Sequence, residues 1–162
     1  GSLTVGAFDE GFKGMPDATI EDAGVYVRRN RLSANGNGTR YAPVIKNMAH
    51  VQKPGFMSRL FGGSGGGSGG VPVYLGLITD GDCQDRAEFV KALEAVDRTK
   101  SFIHIFGIGN QVAVGHMRNI ASQFENVAFD HLPDPHKATA DSFYELMCGS
   151  KFADWVKTNN VA

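Results

Sequence analysis

The stretch Val73-Tyr-Leu-Gly-Leu-Ile-Thr-Asp-Gly-Asp82 predicts a buried strand that ends in a polar turn. A run that is apolar at consecutive positions is typical of a central parallel strand, because helices cover both faces of such a sheet. Open α/β sheets bind ligands beyond the carboxyl ends of their strands. The sequence therefore predicts that Asp80 and Asp82 lie at an edge that binds a metal ion or a phosphate group. The alternative is a plain βα turn, in which Asp85 and Glu88 cap the next helix.

Strands and helices alternate around this stretch. After it, the hydrophobic spacing predicts helices over 86–98, 112–124, 141–147 and 151–158, and strands over 102–108 and 127–129. Before it, residues 3–8 are predicted to form a strand, and the spacing of Tyr41, Val44, Ile45 and Met48 predicts a helix. Residues 21–29 fit either a short helix or a strand. The alternation predicts an α/β fold with one doubly wound, mostly parallel sheet and helices on both faces.

Length, charge and cysteines restrict the class of protein. At 162 residues with 42% hydrophobic content, the chain suits one domain that spans 1–162. A formal net charge of −1 argues against a nucleic-acid partner, which would need a basic surface. No apolar run is long enough to cross a bilayer, and the N-terminus lacks a signal pattern, so we expect no membrane partner. Cys83 and Cys148 have no ligand or disulfide spacing, which predicts free thiols in a reducing cytoplasm.

Two segments are set aside as products of engineering. Gly1-Ser2 is interpreted as a scar left by tag removal, and the nine residues from Gly62 to Gly70 as an engineered glycine and serine linker. Glycine and serine offer no side chains to a core, so we expect this linker to be a flexible bridge that replaces a natural loop.

The candidate chemistry lies in two loops. Thr39, Asp80 and Asp82 offer a hydroxyl and two carboxylates, which are the hard oxygen ligands that Mg²⁺, Mn²⁺ and Ca²⁺ prefer. Because Mg²⁺ takes six oxygens, these residues form only part of a site unless another segment contributes. Thr39 by itself also suits a helix N-cap.

The histidines have simpler interpretations. His104 alternates between two isoleucines on a buried strand, which favours a core histidine over a catalytic base. His131 and His136 flank a turn-rich loop and are expected to face solvent.

Several segments together resemble the von Willebrand factor A domain. Those that carry the likeness are Leu77-Ile-Thr-Asp-Gly81, Phe106-Gly-Ile-Gly109 and Asn37-Gly-Thr-Arg-Tyr-Ala-Pro43. Further segments are similar to the TerF-like branch of tellurium-resistance and stress-response systems. These are Phe8-Asp9, Phe56-Met-Ser-Arg-Leu-Phe61, Phe143-Tyr-Glu-Leu146 and Phe152-Ala-Asp-Trp155.

The resemblance implies a metal-ion-dependent adhesion site. Such a site combines a first-strand Asp-x-Ser-x-Ser motif, a threonine from a second loop and an aspartate from a third. Thr39 and Asp80 match the second and third parts, and Asp82 and Asp9 are candidate neighbours of the metal. No Asp-x-Ser-x-Ser occurs in this sequence. The resemblance therefore implies that the first strand and helix are absent, and that another chain, another copy or an upstream segment supplies them. A naturally metal-free variant is the alternative.

Three functions follow as hypotheses. The first is a binding module without enzymatic turnover, in which Mg²⁺, Ca²⁺ or Mn²⁺ completes its coordination with an acidic group of a protein partner. The second is a metal-dependent phosphoryl- or nucleotidyl-transfer enzyme similar to Toprim domains. That chemistry needs paired metals and a glutamate at the end of a neighbouring strand, a position for which only Glu10 is available. The third is a structural scaffold that binds no metal.

Overall fold

The computed structural model describes residues 2–19, 38–51 and 71–161. The expectations for residues 21–29, for Phe56 to Phe61 and for the linker from Gly62 to Gly70 lie outside the described residues.

The N-terminal region forms two small antiparallel pairs. Strand β1 (Ser2–Leu3) pairs with β4 (Ala18–Thr19), and β2 (Gly6–Phe8) pairs with β3 (Phe12–Gly14). The prediction of one strand over residues 3–8 in a single sheet is therefore wrong. The chain turns back at Asp9, whose carboxylate accepts a hydrogen bond from the N–H of Gly11 at 3.1 Å. This turn closes a hairpin, so β2 pairs with its sequence neighbour.

The main sheet has three parallel strands in the order β5, β6, β7 within the described residues. They are β5 (Val73–Thr79), β6 (Ser101–Ile108) and β7 (Val127–Leu132), and the register places Val73 opposite Ser101 and Ile103 opposite Val127. Strand β6 is buried from Ser101 to Gly107, as its apolar sequence predicts. Strand β7 is longer than the predicted 127–129 because the register continues to Leu132.

Five α-helices and one short 3-10 helix (Pro135–Lys137) complete the part of the chain that is described, and they confirm the α/β class. The α-helices are α1 (Ala42–Met48), α2 (Arg86–Glu94), α3 (Val114–Ser122), α4 (Ala140–Met147) and α5 (Ser150–Thr158). Pro43 lies in the first turn of α1, where its missing N–H costs no helical hydrogen bond. Helices α2 and α3 are shorter than predicted, because turns hydrogen-bonded at Val96 and Gln123 follow their last residues.

Helices cover both faces of the sheet. On one face, Leu75 and Leu77 of β5 belong to the main core together with buried residues of α1, α2 and α3. On the other face, Phe102 of β6 contacts Phe152 and Trp155 of α5, with ring centroids 5.0 and 5.6 Å apart. None of the helices described is long and apolar enough to cross a membrane.

Candidate metal-binding edge of the parallel sheet

Thr39 lies against the turn that follows β5. A Cβ added at Gly81 would clash with the Thr39 hydroxyl oxygen, so the two residues are in close contact. The N–H of Gln84 donates to the Thr39 carbonyl at 3.0 Å. The structure therefore brings Thr39 to the carboxyl end of β5, beside the turn that holds Asp80 and Asp82. Thr39 is not the N-cap of α1, which begins after Tyr41.

Tyr41 links the Thr39 loop to the turn that follows β5 through buried hydrogen bonds. Its side chain is fully buried, and its hydroxyl donates to the Gly81 carbonyl at 2.8 Å and lies 3.2 Å from the hydroxyl of Thr79. The ring packs edge-on against Phe8 and Phe89. Burial raises the pKa of Tyr41, so the hydroxyl keeps its proton and remains a hydrogen-bond donor.

The Asp85 carboxylate caps the N-terminus of α1, which lies far from it in sequence. Its side chain is 4% exposed, and its two carboxylate oxygens accept the N–H groups of Tyr41 and Ala42 at 2.8 and 3.0 Å. Asp85 is also the N-cap residue of α2, as the βα-turn alternative predicts, but its side chain makes no capping hydrogen bond there and Glu88 pairs with Arg40 at 2.6 Å. A carboxylate at a helix N-terminus satisfies unpaired N–H groups and the helix dipole together.

The other acidic candidates lie at the same end of the fold. Asp80 is exposed. Asp82 pairs through one oxygen with Arg86, while its other oxygen is buried and has no hydrogen-bond partner within residues 2–19, 38–51 and 71–161. Asp9 is next to the Thr39 loop, since its carbonyl accepts the N–H of Arg40 at 2.8 Å.

These donors fit part of a hard-cation site. The hydroxyl of Thr39, the exposed carboxylate of Asp80 and the unpaired oxygen of Asp82 are all oxygen ligands, which suits Mg²⁺ or Ca²⁺. The described part of the chain contains no group of three or more His, Cys, Asp or Glu side chains that could hold a metal. A cation bound here would need water, another segment or a partner to complete its oxygen shell.

His104 is a core histidine, as its position predicts. It is 2% exposed, its Nδ1 is hydrogen-bonded to the Tyr74 hydroxyl at 2.8 Å, and its Nε2 is hydrogen-bonded to Asp130 at 2.7 Å. The sequence did not reveal these two partners, because they lie on the neighbouring strands β5 and β7. His104 and Asp130 also line a cavity of about 370 Å³ beside α3 and α5.

The expectation for the two loop histidines is half correct. His136 is exposed, but His131 is partly buried, and its Nε2 lies 2.7 Å from the Gly109 carbonyl. Strand β7 extends through His131, which places this residue opposite Gly107 in the sheet.

The two cysteines are free thiols with different environments. Cys83 is buried and donates to Asp85 at 3.4 Å, and burial raises its pKa to about 12, whereas Cys148 is exposed.

We expect only one of the two thiols to react quickly with Ellman's reagent in the native protein at mildly alkaline pH, because a buried thiol is neither ionised nor accessible. Both should react in guanidinium chloride. Rapid native reaction of both thiols would contradict the buried position of Cys83, and Cys148→Ser identifies the fast one.

Comparison with known proteins supports the fold. No family model matches the chain, and no curated protein matches it. Among solved structures, it is similar to a von Willebrand factor type A structure from Catenulispora acidiphila, with TM-score 0.55 and 18% identity over 98% of this chain and 33% of that one. It is also similar to proximal thread matrix protein 1 from the mussel byssus, with TM-score 0.51 and 16% identity over 95% of this chain and 34% of that one.

These likenesses concern the fold. The chain spans about a third of the length of each of the two structures, and identities below 20% carry no information on ligands or activity. The parallel sheet with helices on both faces, together with the first of these similarities, shows that the chain has a von Willebrand factor A-type fold.

Proposed function

We propose that the chain is a metal-ion-dependent protein-binding module of the von Willebrand A type. The observation that carries the proposal is the position of Thr39 against Gly81, the residue that separates Asp80 from Asp82. This contact puts the Thr39 loop beside the turn that holds Asp80 and Asp82, at the carboxyl end of a parallel strand, where α/β folds bind ligands. The proposed cation is Mg²⁺, with Ca²⁺ or Mn²⁺ as substitutes.

Each residue has a distinct role in this proposal. Thr39 and Asp80 bind the cation, and the unpaired oxygen of Asp82 and the nearby Asp9 are neighbours that adjust the local charge. Tyr41 and Asp85 position the two loops through buried hydrogen bonds. When bound, the cation would offer an open coordination position to a carboxylate of a partner protein. The module recognises its partner and catalyses no reaction.

The context of the module rests on the sequence resemblance. The TerF-like segments favour a cytoplasmic role in a stress-response or tellurite-resistance system. The missing Asp-x-Ser-x-Ser motif favours completion of the site by a further strand, which a second chain, a second copy or an upstream segment would supply.

The phosphoryl-transfer alternative has weaker support. It requires a glutamate at the end of a neighbouring strand of the parallel sheet, together with paired metal ions. Glu10 is exposed in the turn between β2 and β3, which is an antiparallel hairpin outside that sheet. The scaffold alternative differs from our proposal in metal affinity, which can be measured directly.

We expect this chain to bind Mn²⁺ weakly, with a dissociation constant on the order of a millimolar, because two or three protein oxygens leave most of the coordination shell to water. Asp80→Ala should abolish this binding without changing the melting temperature, since Asp80 is exposed. The matched control is Asp154→Ala, an exposed aspartate on α5. Calorimetric titration with Mn²⁺, Mg²⁺ and Ca²⁺ measures the affinities.

A second arm of the experiment tests partner recognition. A probe peptide that carries one glutamate should bind to the chain more tightly when Mn²⁺ is present, and the same peptide with glutamine should not. Equal Mn²⁺ affinity of the Asp80→Ala variant would show that the cation binds elsewhere. Complete absence of Mn²⁺ binding, both in this chain and in a chain extended by an Asp-x-Ser-x-Ser strand, would favour the scaffold.

A further inference from the structure

The cavity of about 370 Å³ beside α3 and α5 is separate from the proposed metal site, because its lining includes neither Thr39 nor Asp80. All of its lining residues belong to the continuous described range 71–161. Pockets that bind small molecules have about this volume, and they combine apolar walls with a few polar groups. Here Phe129 and Phe152 supply aromatic surface, and α3, β7, α4 and α5 each contribute one charged side chain. The cavity therefore has the size and the lining of a small-molecule site.

The two cationic side chains lie on the α3 side of this cavity. Lys151 of α5 donates from its Nζ to the Ala121 carbonyl at 2.7 Å, and Ala121 follows Arg118 by about one turn of α3. Burial lowers the pKa of the partly buried Lys151, because its ammonium group has lost part of its hydration. A negatively charged group bound in the cavity would replace the stabilisation that this water gives elsewhere.

The two acidic side chains come from β7 and α4. Asp130 of β7 is held through Oδ2 by the Nε2 of His104 at 2.7 Å, and the hydroxyl of Tyr74 lies 2.8 Å from the Nδ1 of His104. A carboxylate only accepts hydrogen bonds, so a neutral His104 carries its proton on Nε2 and accepts from Tyr74 at Nδ1. This network fixes one oxygen of Asp130 and leaves the other available to a ligand. Glu145 of α4 is exposed.

These opposite charges line one cavity without neutralising each other. Within the described residues, neither Arg118 nor Lys151 forms an ion pair with Asp130 or Glu145. A small molecule that carries both charges would complement both walls. We propose that this cavity binds a free amino acid with an aromatic or other large apolar side chain.

Each part of the amino acid has its own partners in this proposal, which does not depend on the metal site. The carboxylate faces Arg118 and Lys151, and the ammonium group faces Asp130 and Glu145. The apolar side chain packs on the aromatic surface of the cavity. The protein binds the amino acid and leaves it chemically unchanged.

The test compares three ligands that differ in one charged group each. L-Phenylalanine should bind, and 3-phenylpropanoate, which lacks the ammonium group, should bind about tenfold more weakly. Phenethylamine, which lacks the carboxylate, should lose a similar factor, because each analogue gives up charge-assisted hydrogen bonds. Amide chemical shifts in NMR titrations give the affinities and should change most around Ala128, Glu145 and Lys151. EDTA should leave all three affinities unchanged.

Two exposed residues provide variants that should keep the fold. Arg118→Gln should weaken L-phenylalanine and 3-phenylpropanoate by about fivefold and leave phenethylamine unchanged. Glu145→Gln should weaken L-phenylalanine and phenethylamine and leave 3-phenylpropanoate unchanged. The matched control is Lys157→Gln, which removes an exposed cation from the last turn of α5, outside the cavity, and should change no affinity.

Several results would overturn the proposal. The first is that none of the three ligands shifts any amide signal at millimolar concentration. The second is that 3-phenylpropanoate binds as tightly as L-phenylalanine, which would show a site for simple anions. The third is that L-phenylalanine shifts signals away from the cavity, or that Arg118→Gln and Glu145→Gln change the three affinities equally.

Discussion

Asp85→Ala should lower the free energy of unfolding by roughly 3 kcal/mol, because a buried carboxylate that accepts two N–H groups is removed. The N–H groups of Tyr41 and Ala42 would lose their acceptor at a site where both residues are buried. For a domain of this length, the melting temperature should fall by roughly 6 to 12 °C. Thermal and urea unfolding followed by circular dichroism measure both quantities.

Two control variants distinguish the stability lost with the buried cap from the stability lost with an exposed surface charge. Asp85→Asn keeps one carbonyl acceptor and should lose about half as much stability. Glu88→Ala removes an exposed partner of Arg40 and should cost less than about 1 kcal/mol. Equal losses for Asp85→Ala and Glu88→Ala would show that the contacts between Asp85 and the start of α1 contribute little.

Gly81→Ala should disrupt the proposed binding edge and destabilise the fold by about 2 kcal/mol through overpacking. The added methyl group would overlap the hydroxyl of Thr39, so either the Thr39 loop or the β5 turn must move. We therefore expect loss of Mn²⁺ binding as well as a lower melting temperature. Calorimetric titration and thermal unfolding of the same sample measure the two effects.

The control for this change is another glycine with free space around it. Gly115 lies on α3 and is exposed, and a Cβ added there meets no atom within 4 Å. Gly115→Ala should raise stability by roughly 0.5 kcal/mol through helix propensity and leave Mn²⁺ binding unchanged. If Gly81→Ala behaved like Gly115→Ala, the close approach of Thr39 to the turn would be wrong.

The order of elements in the second half of the chain can be predicted from the sequence. Strands β5 and β6 are continuous apolar runs, and the intervening helix carries Phe89 and Leu93 one turn apart, so local patterns are sufficient. The sequence also identifies Thr39 and Asp80 as candidates, because they occupy loops expected at the same sheet edge. Their role in binding a metal remains a prediction.

The N-terminal strands and the contacts of the site cannot be predicted in this way. Residues 3–8 look like one strand, but their pairing depends on the turn at Asp9, which makes β2 fold back onto β3. The local pattern places Asp85 correctly at the N-cap of α2, but it does not reveal that the carboxylate bonds to the start of α1. The N–H of Tyr41, one of its two donors there, is 44 residues away in sequence. Likewise, Tyr74 and Asp130 meet His104 only because the strands are neighbours.

The sequence by itself determined the α/β class, the central apolar strands and the polar turn at Asp80, since these depend on hydrophobic periodicity and turn chemistry within a few residues. Only the tertiary structure decided that the Asp85 side chain caps α1, that Tyr41 joins the two loops and that His104 bonds to Tyr74 and Asp130. Each of these features depends on which distant groups come within hydrogen-bonding distance. That is a property of packing and strand order, which a local pattern does not contain.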